Sequence, residues 1–372
     1  MSVTDSEYES MLNTLRELCR IPAPSYHEDG RAAYIKAWLE NAGAAGVYID
    51  EALNVIFETG PDDEGMTVFS AHTDTVFPDL SPMPVVEDDV FIASPGVGDD
   101  TASVVVLLYA IKRLLGTDAL KDKHVMFVFN SCEEGLGNLM GVKHLFEKFG
   151  TKIKKYVAFD STIGIAVDHA VGSVRYKVTV RTEGGHSFNR FGNVNAIAVM
   201  SEIVNRIYSI EVPDKEGAKT TFNVGTISGG TSVNTIAQEA EMLCEYRSSD
   251  ASCMEIMEQR FDEIFESCRN GEAEITVKCV GNRPGMGDVS EEEMSSLRSL
   301  VSEVNKEFGG VEKTEFNQGS TDCNVPLSLG IPAICVGVYN GSAAHTREEK
   351  VEKGSLKAGL EIAVELIGKI TT

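Results

Sequence analysis

Over residues 1–171, apolar positions recur in two rhythms. Tyr8, Met11, Leu12, Leu15 and Leu18 fall near a 3.6-residue period and predict a helix over 6–20. A second helix is predicted over 28–42, stopped by Gly43. Short apolar runs at 66–71, 125–129 and 156–159 are each bounded by polar residues, as in buried strands. Helical patterns at about 100–115 and 136–149 separate these runs. The result is α/β alternation.

Between 172 and 283 the rhythm changes. Val174, Tyr176, Val178 and Val180 alternate with Arg175, Lys177, Thr179 and Arg181, the pattern of a strand with one wet face. A helix over 193–209, strands over 220–227 and 239–246, a helix over 251–269 and a strand over 273–280 follow. The order β-α-β-β-α-β is the ferredoxin-like motif. A free edge of such a sheet can pair across a dimer. After 283 the first style returns, with helices over 291–308 and 325–329, a buried strand over 331–338 and a terminal helix over 353–370. The expected architecture is a small α+β domain, 172–283, inserted into a discontinuous α/β domain made of 1–171 and 284–372.

Composition narrows the function. A chain of 372 residues exceeds one typical domain, and 42% apolar residues suffice for real cores. Lys and Arg number 33 against 57 Asp and Glu, a formal net charge of −24. That balance argues against nucleic acid and anionic membrane as partners, because phosphate binding needs cations. The eight cysteines include no C-x-x-C pair and mostly sit in apolar runs. The acidic, polar start of the chain does not read as a signal peptide, and no run of ~18 apolar residues reads as a membrane span. The expectation is a reduced, cytoplasmic protein.

Candidate chemistry clusters where predicted strands end. His72-Thr73-Asp74 closes the 66–71 strand, and in H-x-D the acid can orient the imidazole toward a metal. Gly98-Asp99-Asp100 precedes a helix, and reads either as a cap or as a carboxylate bridging two metals. Glu133 and Glu134 follow the very apolar 125–129 strand. Adjacent acids there repel and resist ionisation unless a metal is present. One could ligate while its neighbour acts as a general base. Asp160 ends a third strand, and His345 follows the last one. Each residue alone has an ordinary structural reading. Together His72, Asp99, Glu134, Asp160 and His345 supply two imidazoles and three carboxylates, which suits two Zn²⁺ ions sharing one carboxylate. In the inserted domain, His186, Asn234 and Arg247 read equally well as loop or strand-end residues. His27, His124, His144 and His169 read as surface or structural.

With these residues assembled, the chain resembles the dinuclear zinc exopeptidase and deacylase family, which includes tripeptidase T, carboxypeptidase G, acetylornithine deacetylase, aminoacylase and succinyl-diaminopimelate desuccinylase. The resemblance begins near Ile21-Pro-Ala-Pro-Ser25, runs through His72-Thr-Asp74, Gly98-Asp99-Asp100 and Glu133-Glu134-Gly135, and ends with Gly319-Ser-Thr-Asp322 and Ala344-His345-Thr346. It implies a zinc-peptidase catalytic domain of the phosphorylase/hydrolase-like α/β fold, with an inserted lid domain that dimerises. It implies that His72, Asp99 and Asp160 hold one metal, and Glu134, His345 and the same Asp99 the other. Asp74 would orient His72. Glu133 would take a proton from the attacking water and return it to the leaving amine. His186 would reach across a homodimer to the substrate carbonyl. Asn234, Arg247 and Gly319 would contact the substrate.

Two positions depart from the family. Thr101 stands where Lys often follows the paired acids, and Asn234-Thr-Ile-Ala237 replaces Asn-x-Ile-Pro. Asp at 160 resembles the peptidase T branch more than the deacylases with Glu. The expected function is therefore a di- or tripeptide exopeptidase acting as an aminopeptidase. A deacylase or desuccinylase of N-acyl amino acids is the alternative within this chemistry. An inactive, metal-stabilised dimer acting as a binding module is the alternative outside it. The donor set does not separate Zn²⁺ from Co²⁺ or Mn²⁺.

Overall fold

The computed structural model describes residues 3–61, 65–121, 123–269 and 271–371. The chain forms two compact units, one of Met1–Ala170 with Gly287–Thr372 and the other of Val171–Met286.

The larger unit is built on an eight-stranded sheet. Its order is Tyr48–Ile49, Val55–Thr59, Val125–Asn130, Met66–His72, Ile153–Phe159, Ala333–Val336, Ile165–Ala170 and Glu315–Gly319. The four central strands, Val125–Asn130 to Ala333–Val336, are mutually parallel. Every residue of Met66–His72 and Val125–Asn130 is buried, which explains why their sequences are continuous rather than alternating apolar runs. Ser103–Leu115 is a helix buried along most of its length, and it packs against the C-terminal helix Ser355–Ile370. In that second helix, a Cβ added at Gly359 would lie 1.7 Å from the Val338 carbonyl oxygen, so only glycine permits the approach.

Two helices begin later than their apolar pattern predicts. The helix expected from residue 100 starts at Ser103, because Asp99 and Asp100 have non-helical backbones. The helix expected from 136 starts at Met140, after a short 3₁₀ turn Gly135–Gly137 and two left-handed residues, Asn138 and Leu139. In both places the residues displaced from the helix belong to, or adjoin, the acidic motifs.

The smaller unit has four antiparallel strands in the order Thr220–Gly229, Glu239–Ser248, Gly172–Arg181 and Glu274–Arg283. Helices Ala196–Ile207 and Ala251–Ser267 complete the β-α-β-β-α-β order. Their buried side chains Met200, Ile203, Met257 and Phe261 meet Val178, Val180, Met242 and Tyr246 in one apolar core. The alternation seen in the sequence is thus realised as one packed and one wet face.

Candidate metal centre

Strand register brings the acidic motifs level with one another. Along the parallel pairs, His72 lies beside Asn130 and Ser70 beside Ala158. The chain leaves all three strands at the same end of the sheet, where ligands of open α/β sheets collect. The His72 backbone N–H donates to Asp100 Oδ2 at 3.0 Å. His72 Nε2 lies 3.0 Å from Asp99 Oδ1, and its Nδ1 lies 3.3 Å from Asp74 Oδ1.

Asp74 organises the next motif. Its Oδ1 accepts from the Glu133 N–H and its Oδ2 from the Glu134 N–H, both at 2.9 Å, while Ser25 Oγ donates to Oδ2 at 2.6 Å. Burial pushes the Asp74 carboxyl up, but the His72 imidazole and these donors outweigh it and hold it below its ordinary range.

Asp99 spans two imidazoles. Its Oδ1 faces His72 Nε2 at 3.0 Å and its Oδ2 faces His345 Nε2 at 2.9 Å. His345 Nε2 also lies 3.2 Å from Glu134 Oε1. Asp99, Glu134 and His345 therefore present one ligand atom each within 4.8 Å of one another. Two further sets meet the same distance, namely His72 with Glu133 and Glu134, and His72 with Asp100 and Asp160. The structure brings together all five expected ligands, with Asp74 and Glu133 among them. Asp160 gathers with His72 as expected, but Asp100 rather than Asp99 completes its set.

The electrostatics fit divalent cations. Burial, joined by the charges of Asp99, Glu133 and Glu134, drives the Asp160 carboxyl well up. Glu134 is pushed up to about 7, first by burial and then by Asp99 and Glu133. His345 is pushed up to about 11 by the Asp99 and Glu134 carboxylates. Asp100 is fully buried, and its Oδ1 has no hydrogen-bond partner. By themselves these side chains can balance their negative charge only with protons, which divalent cations displace. Imidazole nitrogens and carboxylate oxygens are also the donor types that divalent cations such as Zn²⁺ accept, so the residues present fit such ions.

A cation does lie beneath the acidic loops. Arg31 is buried, and its Nη1 donates to the Thr73 carbonyl at 2.9 Å and to Thr101 Oγ1 at 3.0 Å. Thr101, where the sequence departs from the family's Lys, is thus the partner of an arginine from another helix. Sequence reading missed Arg31 because a single Arg near the start of a helix looks like a surface charge. It also missed Asp100 as a site residue, although the adjacent acids offered a signal.

The remaining expected residues are arranged as follows. Gly319 ends the Glu315–Gly319 strand, beside Ala170, in the larger unit. In the smaller unit, Gly185–His186 pairs with Thr235–Ile236 in a two-stranded ribbon, and the Ser187 N–H donates to the Asn234 carbonyl at 2.9 Å. His186 and Asn234 are therefore neighbours, and both are exposed. Arg247 is held by Glu245 through Nε and Nη2 at 2.8 and 3.0 Å.

A parallel-centred sheet whose strand ends gather two imidazoles around shared carboxylates defines an α/β protein with a candidate metal site. The chain belongs to peptidase family M20/M25/M40, whose family model matches residues 68–369. The fold is similar to aminopeptidase PepT from Bacillus cereus, with a TM-score of 0.74 and 22% identity over 98% of this chain and 99% of that one. It is also similar to a dinuclear metal-binding peptidase from Bacillus subtilis, with a TM-score of 0.66 and 16% identity over 99% of each chain. In sequence the chain is 24% identical to succinyl-diaminopimelate desuccinylase from Corynebacterium glutamicum, over 90% of both. Among the described residues no helix is long and apolar enough to cross a membrane.

Proposed function

We propose that this protein is a metal-dependent hydrolase that cleaves the amide bond of a small peptide, releasing the N-terminal residue of a di- or tripeptide. The observation that carries the reading is the Asp99 carboxylate, which offers one oxygen to each of two imidazoles while Glu133 stands beside the same cluster. When bound, a pair of divalent cations such as Zn²⁺ would polarise the scissile carbonyl and lower the pKa of the attacking water.

The side chains of this chain do the rest. His72, Asp99 and Asp160 would hold one cation, with Asp100 beside them, and Asp99, Glu134 and His345 would hold the other. Asp74 fixes the Glu133–Glu134 backbone through two hydrogen bonds, so Glu133 keeps its place while its carboxylate exchanges protons. Glu133 accepts a proton from the attacking water and delivers it to the departing amine nitrogen. His186 would reach across a homodimer to support the substrate carbonyl, and Asn234, Arg247 and Gly319 would contact the rest of the substrate. Release of Arg247 from Glu245 would free a planar fork suited to a carboxylate. The smaller unit is read as a lid and dimerisation domain, since its Thr220–Gly229 strand is a sheet edge whose outer residues are mostly exposed. Eight unpaired cysteines suit a reducing, cytoplasmic setting.

Asp rather than Glu at position 160 and the likeness to PepT favour a peptidase. The desuccinylase relative favours the second reading, an N-acyl amino acid deacylase. A panel of free-amine tripeptides, dipeptides and N-acyl amino acids, assayed on Zn²⁺- or Co²⁺-loaded protein, separates them. Release of a free N-terminal residue is expected. Turnover confined to N-acyl substrates would replace the peptidase by the deacylase, and metal binding without any turnover would leave a binding module.

A further inference from the structure

We propose that Glu349 is a positioning residue that fixes the shared carboxylate of the metal centre relative to His345. The proposal rests on the reading of Asp99, Glu134 and His345 as cation ligands. Glu349 is buried, and its carboxylate accepts three backbone N–H groups from one loop. Oε2 takes Gly96 at 2.8 Å, while Oε1 takes Gly98 at 2.8 Å and Asp99 at 2.7 Å. The third donor belongs to the residue whose side chain spans His72 and His345.

The loop is shaped around this carboxylate. Gly96 has a left-handed φ of 73°, open to glycine at little cost. A Cβ on Gly98 would lie 2.8 Å from Glu349 Oε1, so a side chain there would displace the clamp. The other end of Glu349 is equally fixed. Its carbonyl accepts from the Ser94 N–H at 3.1 Å. The next residues, Lys350–Glu352, pair antiparallel with Phe91–Ala93 on one side. On the other side Gly341–Ser342 pairs with Lys350–Val351, closing a hairpin that carries His345. One hairpin thus delivers His345 and also grips the backbone that aims Asp99. Both oxygens of Glu349 are used, so the backbone that carries Asp99 cannot shift without breaking charge-assisted hydrogen bonds.

This role predicts a graded loss of cation binding. Glu349→Gln conserves size but turns one acceptor into an NH₂ group that opposes a backbone N–H. Glu349→Ala removes all three acceptor contacts. Full-length protein stripped with chelator is titrated with Co²⁺, following both affinity and the visible d–d spectrum, which reports ligand geometry. Wild type is expected to bind two ions. Glu349→Gln is expected to lose ~10–100-fold in affinity for at least one ion, with an altered spectrum, and Glu349→Ala more, as for other residues that orient ligands. Glu348→Gln, at an exposed neighbour, is expected to match wild type. Should Glu349→Ala fail to fold, the isosteric Gln variant decides alone. Wild-type affinity and spectrum in Glu349→Gln would overturn the positioning role while leaving the metal centre standing. Failure of wild type to bind Co²⁺, Zn²⁺ or Mn²⁺ would overturn the metal centre itself, and this inference with it.

Discussion

In the smaller unit, charges sit on a wet sheet face and meet their opposites across the ladder, as in Arg175–Glu245, Lys177–Glu241 and Arg181–Glu239. In the larger unit, Asp99, Asp100, Glu133, Glu134 and Asp160 converge at the ends of buried strands, with protons and imidazoles as their balance. One unit is complete in its apolar core. The other folds around a concentration of negative charge that its own side chains leave poorly compensated, and that is the mark of a site rather than of packing. The contrast can be broken experimentally in four places.

The largest effect is expected at Glu133. Glu133→Gln keeps the shape and the N–H held by Asp74, so bound metal per chain is expected to match wild type. Turnover is expected to fall by roughly 10²–10⁴, as for a lost general base. An active Gln variant would show that the extra acid is not the proton carrier.

Next comes the apolar side of the comparison. Phe261 is fully buried against Tyr176, Tyr246 and Phe265, with ring centroids 6.2, 5.0 and 5.9 Å away. Phe261→Ala is expected to destabilise the smaller unit by ~3–5 kcal/mol. The loss, read by hydrogen exchange in the Glu239–Ser248 strand, is expected to be the same with and without metal. Rescue by Zn²⁺ would mean that this unit's stability is tied to the metal centre after all.

The third test separates the units by pH. In metal-free protein, burial pushes Glu134 up to about 7 from an unfolded value of 4.5. The folded state therefore binds more protons than the unfolded state between those values, and stability falls as pH rises through that window. His345, raised to about 11, continues the same trend above its unfolded 6.5. Asp74 and Asp99 are held low and titrate below the window. Chelated protein is expected to melt at lower temperature at pH 8 than at pH 5, and Zn²⁺ to flatten or reverse the slope, because cations bind the deprotonated ligands. A melting temperature of chelated protein that did not change with pH would remove the electrostatic contrast.

How much of this was legible beforehand follows the same division. Runs such as 125–129 announced buried strands, and polar residues just beyond them announced the ligands, because packing alone gives no reason for acids there. The alternation from Val174 to Arg181 announced a two-faced sheet. The strands Ile165–Ala170 and Glu315–Gly319 were not seen, since their mixed side chains carry no period and their pairing lies in the backbone. Glu349 was hidden for a different reason. It sits in Arg347-Glu-Glu-Lys-Val-Glu-Lys353, where nothing in the residue types distinguishes a buried clamp from solvated neighbours. Ligands leave a mark in the sequence because few other roles suit them. Residues that hold a ligand's backbone leave none, since their partners are N–H groups that every residue possesses.

The smallest effect is expected at Arg181, and it tests whether the wet face matters at all. Arg181 and Glu239 are direct cross-strand partners, and Arg181 Nε donates to Glu239 Oε2 at 2.7 Å. Both side chains are about half exposed, at 55% and 49%, so water and salt screen the pair and holding two long side chains together offsets much of its attraction. Arg181→Ala is expected to leave the denaturation midpoint within replicate scatter, in low salt as in high. The His72–Asp99 contact has a similar length, yet His72 is 2% and Asp99 17% exposed, so distance alone does not rank the two. If Arg181→Ala instead shifted the midpoint as far as Phe261→Ala, the smaller unit would depend on its charges too, and the contrast would rest on something other than burial.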